Sequence, residues 1–142
     1  MWIEARARDP EVGTPAPDAG ESARRLEDMA LGRRVQLFYP GLTRDRYDRA
    51  LAHVVTIDGA GPRLWLNMEM IETGTAWVRL YPSTAARGQD LLAREAEARA
   101  ARQGLWARSD YAVRRAAQIA TDARGFFFVR GELGATPPVP DE

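Results

Sequence analysis

The segment Thr43-Arg44-Asp45-Arg46-Tyr47-Asp48-Arg49-Ala50-Leu51-Ala52-His53-Val54 constrains the fold more than any other part of the chain. It is a charged turn centred on a tyrosine, and it runs directly into a hydrophobic strand. Leu51, His53, Val55 and Ile57 fall on one face of that strand and Ala50, Ala52 and Val54 on the other. Upstream, Val35, Leu37 and Tyr39 alternate with Gln36 and Phe38 until Pro40-Gly41 breaks the segment. This is the pattern of a half-buried strand that ends in a turn. The second strand is expected to start near Tyr47 and to end at Asp58-Gly59-Ala60-Gly61-Pro62.

On either side, punctuation and periodicity define the other elements. Residues 1–8 suit a short strand, and the breakers Pro10, Gly13, Pro15, Pro17 and Gly20 give a loop. Asp18 and Glu21 are spaced like a capping box, and Ala23, Leu26, Ala30 and Leu31 recur at helical spacing, which predicts a helix over 19–31. Arg63 to Leu66 reads as a short strand. Asn67 is placed to cap a short helix through Met68, Met70 and Ile71, with Gly74 as its terminating glycine. Ala76, Val78 and Leu80 suggest another strand. The alanine-rich stretch from about Thr84 to Gln103 is a strong helix former, with Asp90–Arg94 and Glu95–Arg99 spaced as acid-to-base pairs. A helix over Tyr111–Ala120, a strand at Phe126–Val129 and a frayed tail from Pro137 complete the reading.

At 142 residues and 45% hydrophobic content, the chain can bury one core of ordinary size. Its acidic and basic residues cancel to a formal charge of zero, so a polyanion site must be local. All twenty basic residues are arginine, a usage that fits codon bias better than selection for phosphate forks. Cysteine is absent and histidine occurs once, which excludes cysteine nucleophiles and zinc centres. No apolar run approaches the roughly 20 residues of a membrane-spanning helix, and Met1–Arg8 lacks an apolar export core.

Three motifs, in order and with compatible loops, resemble the staphylococcal nuclease-like (thermonuclease) family. Asp45-Arg46-Tyr47-Asp48-Arg49-Ala50-Leu51-Ala52 resembles its D-[RK]-Y-G-R-x-L-A. Asn67 to Ala76 resembles its V-N-x-x-L-[VI]-x-x-G-x-A. Glu95-Ala96-Glu97-Ala98-Arg99 followed by Gly104-Leu105-Trp106 resembles its E-A-x-A-[RK] and G-[LI]-W. The likeness spans about residues 18–106 and implies an α+β fold, a Greek-key OB-type barrel with packed helices, incomplete at the N-terminus. Residues 1–17 are then a strand remnant and loop, and 107–142 a C-terminal helix, strand and tail.

What the resemblance implies chemically is metal-assisted hydrolysis of a phosphodiester in DNA or RNA, with calcium as the usual ion held by carboxylates. A glutamate assists water and two arginines stabilise phosphoryl charge. Arg49 matches the second of these arginines. D-G-D-T does not occur, and the family's R-L-x-x-[IV]-D-x-P-E survives only as Asp9-Pro10-Glu11. That makes Glu11 the stand-in base and Asp9 a candidate metal ligand. It also puts Ile3 where the first arginine belongs and Arg8 where an aspartate belongs, leaving Arg6 or Arg8 as substitutes for the missing guanidinium.

Tyr47, Arg44, Arg46 and Tyr81 are the candidate contacts to a single strand of DNA or RNA. Asp48 stands where the family has glycine, and its carboxylate would repel a phosphate unless Arg44 or Arg46 neutralises it. For Arg49 the competing reading is a structural pair with Asp45 or Asp48. His53 reads as a packed strand histidine and Trp106 as core. The rival to a nuclease is a non-catalytic OB-type binding module, as in the degenerate repeats of Tudor staphylococcal nuclease proteins. Missing early strands would leave an open edge for Phe126–Val129 or a partner chain to cover.

Overall fold

The computed structural model describes residues 2–5, 17–79, 87–119 and 128–130. The chain divides into two compact units, residues 1–107 and 108–142.

The first unit opens with strand β1 (Trp2–Glu4), followed by helix α1 (Pro17–Ala30). The helix begins two residues before the expected 19. Proline has no N–H to lose in a first turn, so Pro17 starts the helix that it was expected to precede. Asp18 then lies inside the first turn, where the helix dipole favours a carboxylate. Met29 is buried, while Leu31, just past the helix, is 80% exposed. Ser22 Oγ donates to the Thr75 carbonyl at 2.6 Å, which fixes α1 against the loop after the next helix.

Strands β2 (Val35–Phe38) and β3 (His53–Thr56) pair antiparallel, Val35 opposite Thr56 and Phe38 opposite His53. Every residue of β2 is exposed, contrary to the half-buried strand expected, because β3 is its one neighbour in the sheet among the described residues. β3 starts at His53 rather than near Tyr47. The intervening turn keeps only an isolated bridge, Arg44 to Ala50, because the Asp45 carboxylate takes N–H groups that a ladder would use. Arg63–Leu66 likewise reduces to a single bridge between Val55 and Trp65.

Helix α2 (Leu66–Glu72) has Trp65 at its N-cap with no side-chain cap bond. Asn67, expected as that cap, is buried inside the helix instead. Its Oδ1 accepts from Val54 N at 2.8 Å and its Nδ2 donates to Ala52 O at 3.2 Å, so it ties α2 to β3. Gly74 follows the helix with φ 66° and leads into β4 (Trp77–Arg79), antiparallel to β1. Glu4 and Arg79 form an ion pair across these two strands.

Helix α3 (Gly88–Ala100) carries the expected Glu95–Arg99 pair at 2.6 Å. The expected Asp90–Arg94 pair is replaced: Asp90 meets Arg87 at 3.1 Å and Arg94 meets Glu97 at 2.7 Å. Glu95 is buried and also accepts the Val78 N–H, joining α3 to β4. The core gathers Met29 from α1, Leu66, Met70 and Ile71 from α2, Ala76, and Leu91 from α3. Trp77 and Trp106 are buried as well.

The sheets are three two-stranded ladders, and none closes into a barrel among the described residues. What the described residues show is an α+β arrangement in which β1–β4 and β2–β3 are each two-stranded. In the second unit, 3₁₀ turns at Ser109–Tyr111 and Ala116–Gln118 flank β5 (Arg114–Arg115), which pairs parallel with β6 (Val129–Arg130). The helix expected over Tyr111–Ala120 is not formed at Ala112–Arg115, where Ala112 is extended at ψ 132° and the Arg114 N–H goes to Phe128 O. Phe126 and Phe127 lie outside the described residues, as do Thr84, Leu80 and the tail. No helix among the described residues is long and apolar enough to cross a membrane.

Candidate nucleic-acid interface

The turn between β2 and β3 is organised by one carboxylate. Asp45 Oδ1 accepts from Tyr47 N at 2.8 Å and Arg49 N at 3.0 Å, and Oδ2 accepts from Arg49 Nε at 2.6 Å. Burial works against ionisation of Asp45. The Arg49 backbone N–H, the Arg49 guanidinium and the Tyr47 N–H outweigh it and hold the pKa below the usual carboxylate value. The Asp45 N–H itself donates to Arg49 O at 3.0 Å, part of the Arg44–Ala50 bridge.

Asp48 adopts φ 60°. That left-handed conformation costs an ordinary residue about 1–2 kcal/mol and is tolerated by Asp better than by most. It gives a physical reason for a glycine at this place in the family pattern. Arg44 meets the Asp48 carboxylate at 3.0 Å and also donates to the Asp48 carbonyl, which neutralises the charge that Asp48 brings to the turn. Three arginines against two aspartates leave the turn from Arg44 to Arg49 with one net positive charge.

Tyr47 projects into solvent, with the Arg46 guanidinium 4.7 Å and that of Arg49 5.3 Å from its ring centre. Arg46 Nη2 donates to the Tyr47 hydroxyl at 2.6 Å. The Arg49 side chain is 59% exposed, and among the described residues nothing engages its two Nη groups. A guanidinium fixed at Nε and open at both Nη atoms is suited to a bidentate phosphate contact.

Arg49 and Asp45 form part of the wall of a cavity of about 560 Å³ whose floor includes Ile3, Leu51, Val54 and Met70. Arg33 lines the same cavity, held by Asp58 at 2.9 Å and 16% exposed at its side chain. The Asp58 carboxyl is held at about 2, chiefly by the Arg33 hydrogen bond, with Ala60 N, the Arg33 charge and Arg34 N adding to it against desolvation.

The structure therefore brings Arg49, Tyr47, Arg44 and Arg46 together on one turn. Glu11, Asp9, Tyr81, Arg6 and Arg8 lie outside the described residues. Ile3, aligned with an arginine position, packs against the apolar core. Trp77, at the start of β4, is buried. The role of Asn67 and the tie between Arg33 and Asp58 escaped sequence reasoning. A hydrogen-bonding side chain two residues into a helix, and an Asp in a glycine-rich turn, were the available signals.

For the calcium that the resemblance implies, the described carboxylates at the cavity do not fit. Asp45 is filled by Arg49 and two N–H groups, and Glu4 is paired with Arg79. No group of three or more His, Asp or Glu residues is spaced to hold a metal among the described residues. The family model described as staphylococcal nuclease homologue matches residues 8–108. No curated protein matches the chain.

Proposed function

The chain belongs to the staphylococcal nuclease homologue family, and on that premise we propose that it binds the phosphodiester backbone of single-stranded DNA or RNA through Arg49. Little or no hydrolytic turnover accompanies this binding. The observation that carries the reading is the Arg49 guanidinium, aligned through Nε by Asp45 and open at its Nη atoms beside an exposed tyrosine. Tyr47 adds a stacking face and Arg46 a second cation, the combination by which non-specific single-strand sites hold bases and backbone. The OB-type barrel belongs to the same proposal, with the open ladders completed by a strand from a partner chain or from the C-terminal segment.

Hydrolysis is the second reading, favoured by the family match and by Asp9 and Glu11, whose positions are not described. Phosphoryl transfer needs more than one guanidinium, and misplacement by about 1 Å already costs on the order of a hundredfold in rate. Release of acid-soluble nucleotides from a single strand, measured with calcium and with chelator, separates the readings. Strand binding without release supports a binding module. Calcium-dependent release abolished by Arg49→Ala and by Glu11→Gln makes it a nuclease.

A further inference from the structure

The pleat of the β2–β3 ladder gives it two faces. Val54 turns towards the cavity that carries Arg49, so His53 and Val55 turn to the opposite side. Phe38, directly opposite His53, shares that second face. There, a separate cavity of about 430 Å³ is lined by Phe38, Tyr39, His53, Trp65, Arg63 and Arg87, among others.

Its chemistry is distinctive. His53 and Trp65 meet edge to face at 5.2 Å, and the Arg87 guanidinium lies 4.8 Å from the Trp65 ring centre. Phe38 and Tyr39 stay exposed beside them, although aromatic faces of this size are usually covered. The buried Trp65 Nε1–H has no acceptor among the described residues. Arg87 spends Nε on Asp90 at 3.1 Å, while Arg63 is exposed and pairs with no described carboxylate. Aromatic walls and two guanidinium groups together suit a planar heteroaromatic ring that carries an anionic group.

We propose that this cavity is a nucleotide site, holding a base against Trp65 and Tyr39 and a phosphate between Arg63 and Arg87. It lies on the face of the hairpin opposite to Arg49 and stands independently of the phosphate contact proposed there. The nucleotide is either free or a unit of a single strand.

Titration of the full chain with AMP, adenosine, inorganic phosphate and an eight-residue oligo-deoxyadenylate, followed by calorimetry and tryptophan fluorescence, tests the site. AMP is expected to bind more tightly than adenosine or phosphate and to quench fluorescence, with the quench lost in Trp65→Phe. Arg63→Ala and Arg87→Asn, the latter chosen because Arg87 has φ 59°, are expected to weaken AMP about tenfold each. Arg49→Ala leaves AMP affinity unchanged, which separates this site from the first. Tighter binding of the oligomer than of AMP, weakened by the same two variants, assigns the site to a strand; the reverse order assigns it to a free nucleotide. AMP affinity unchanged in both arginine variants at unchanged melting temperature overturns the proposal, as does phosphate binding as tightly as AMP.

Discussion

Arg49 Nε donates to Asp45 Oδ2 at 2.6 Å, and the same carboxylate accepts the N–H groups of Arg49 and Tyr47. One side chain thus shapes the turn and aims the guanidinium. Asp45→Ala removes a negative charge next to a proposed phosphate site, which by Coulomb attraction alone would tighten strand binding. If alignment dominates, it weakens binding by about threefold or more. Anisotropy of a labelled single strand is expected to show the weakening; tighter binding would mean that Asp45 only masks Arg49.

Asp48 tests the turn from the other side. Asp48→Gly relieves the backbone strain at φ 60°, worth about 1 kcal/mol. It sacrifices only an exposed pair with Arg44 of small value. The variant is expected to melt at a higher temperature and to bind a single strand roughly two- to threefold more tightly, since a like charge near the phosphate is gone. A lower melting temperature would show that the Arg44–Asp48 pair matters more than the strain.

Gly74 and Gly104 pack backbone against backbone, with Leu105 N donating to Gly74 O at 2.9 Å. A Cβ on Gly74 would lie 2.1 Å from the Gln103 carbonyl oxygen, and one on Gly104 2.5 Å from the Gly74 carbonyl oxygen. Either Gly→Ala change is expected to cost about 3 kcal/mol or more, adding clash to positive-φ strain. Denaturant unfolding checks this, and a cost under about 1 kcal/mol would contradict the packing described.

Much of this was legible in the sequence. Gly74 closes α2 as read, because a positive φ favours glycine wherever it occurs. The Arg49–Asp45 pair was one of two readings of a charged turn, and coordinates were needed to choose, since Asp45 and Asp48 are both near in sequence. Asn67 misled because its partners, Val54 N and Ala52 O, are more than a dozen residues away. The exposure of β2 was hidden for a similar reason: alternation shows what a strand offers to a core, not whether a neighbour arrives to cover it.

Asn67 gives a further test. Asn67→Ala removes the buried amide that Val54 N and Ala52 O, both partly buried, bond to. A loss of roughly 2 kcal/mol in unfolding free energy is expected. Loss of less than about half that would show that water replaces the amide.

Asp58 supplies a pH signature. The Arg33 hydrogen bond holds its carboxyl at about 2, below the usual carboxylate range. A depressed folded value means that its contribution is fully present above the unfolded pKa and is lost as pH falls from about 4 towards 2. Asp58→Asn is expected to lower the melting temperature at pH 7 and to flatten its decline over that acid window. An equally steep decline in the variant would assign acid sensitivity to other carboxylates.

The most direct test of the account is the salt dependence of single-strand binding by the unaltered chain and by Arg49→Ala. Binding is expected to weaken as salt rises, and Arg49→Ala to lose affinity at every salt concentration with a log–log slope shallower by about 0.7, the value of one phosphate contact on a single strand. Equal affinity and equal slope in the two proteins would contradict the claim that Arg49 holds the phosphodiester backbone.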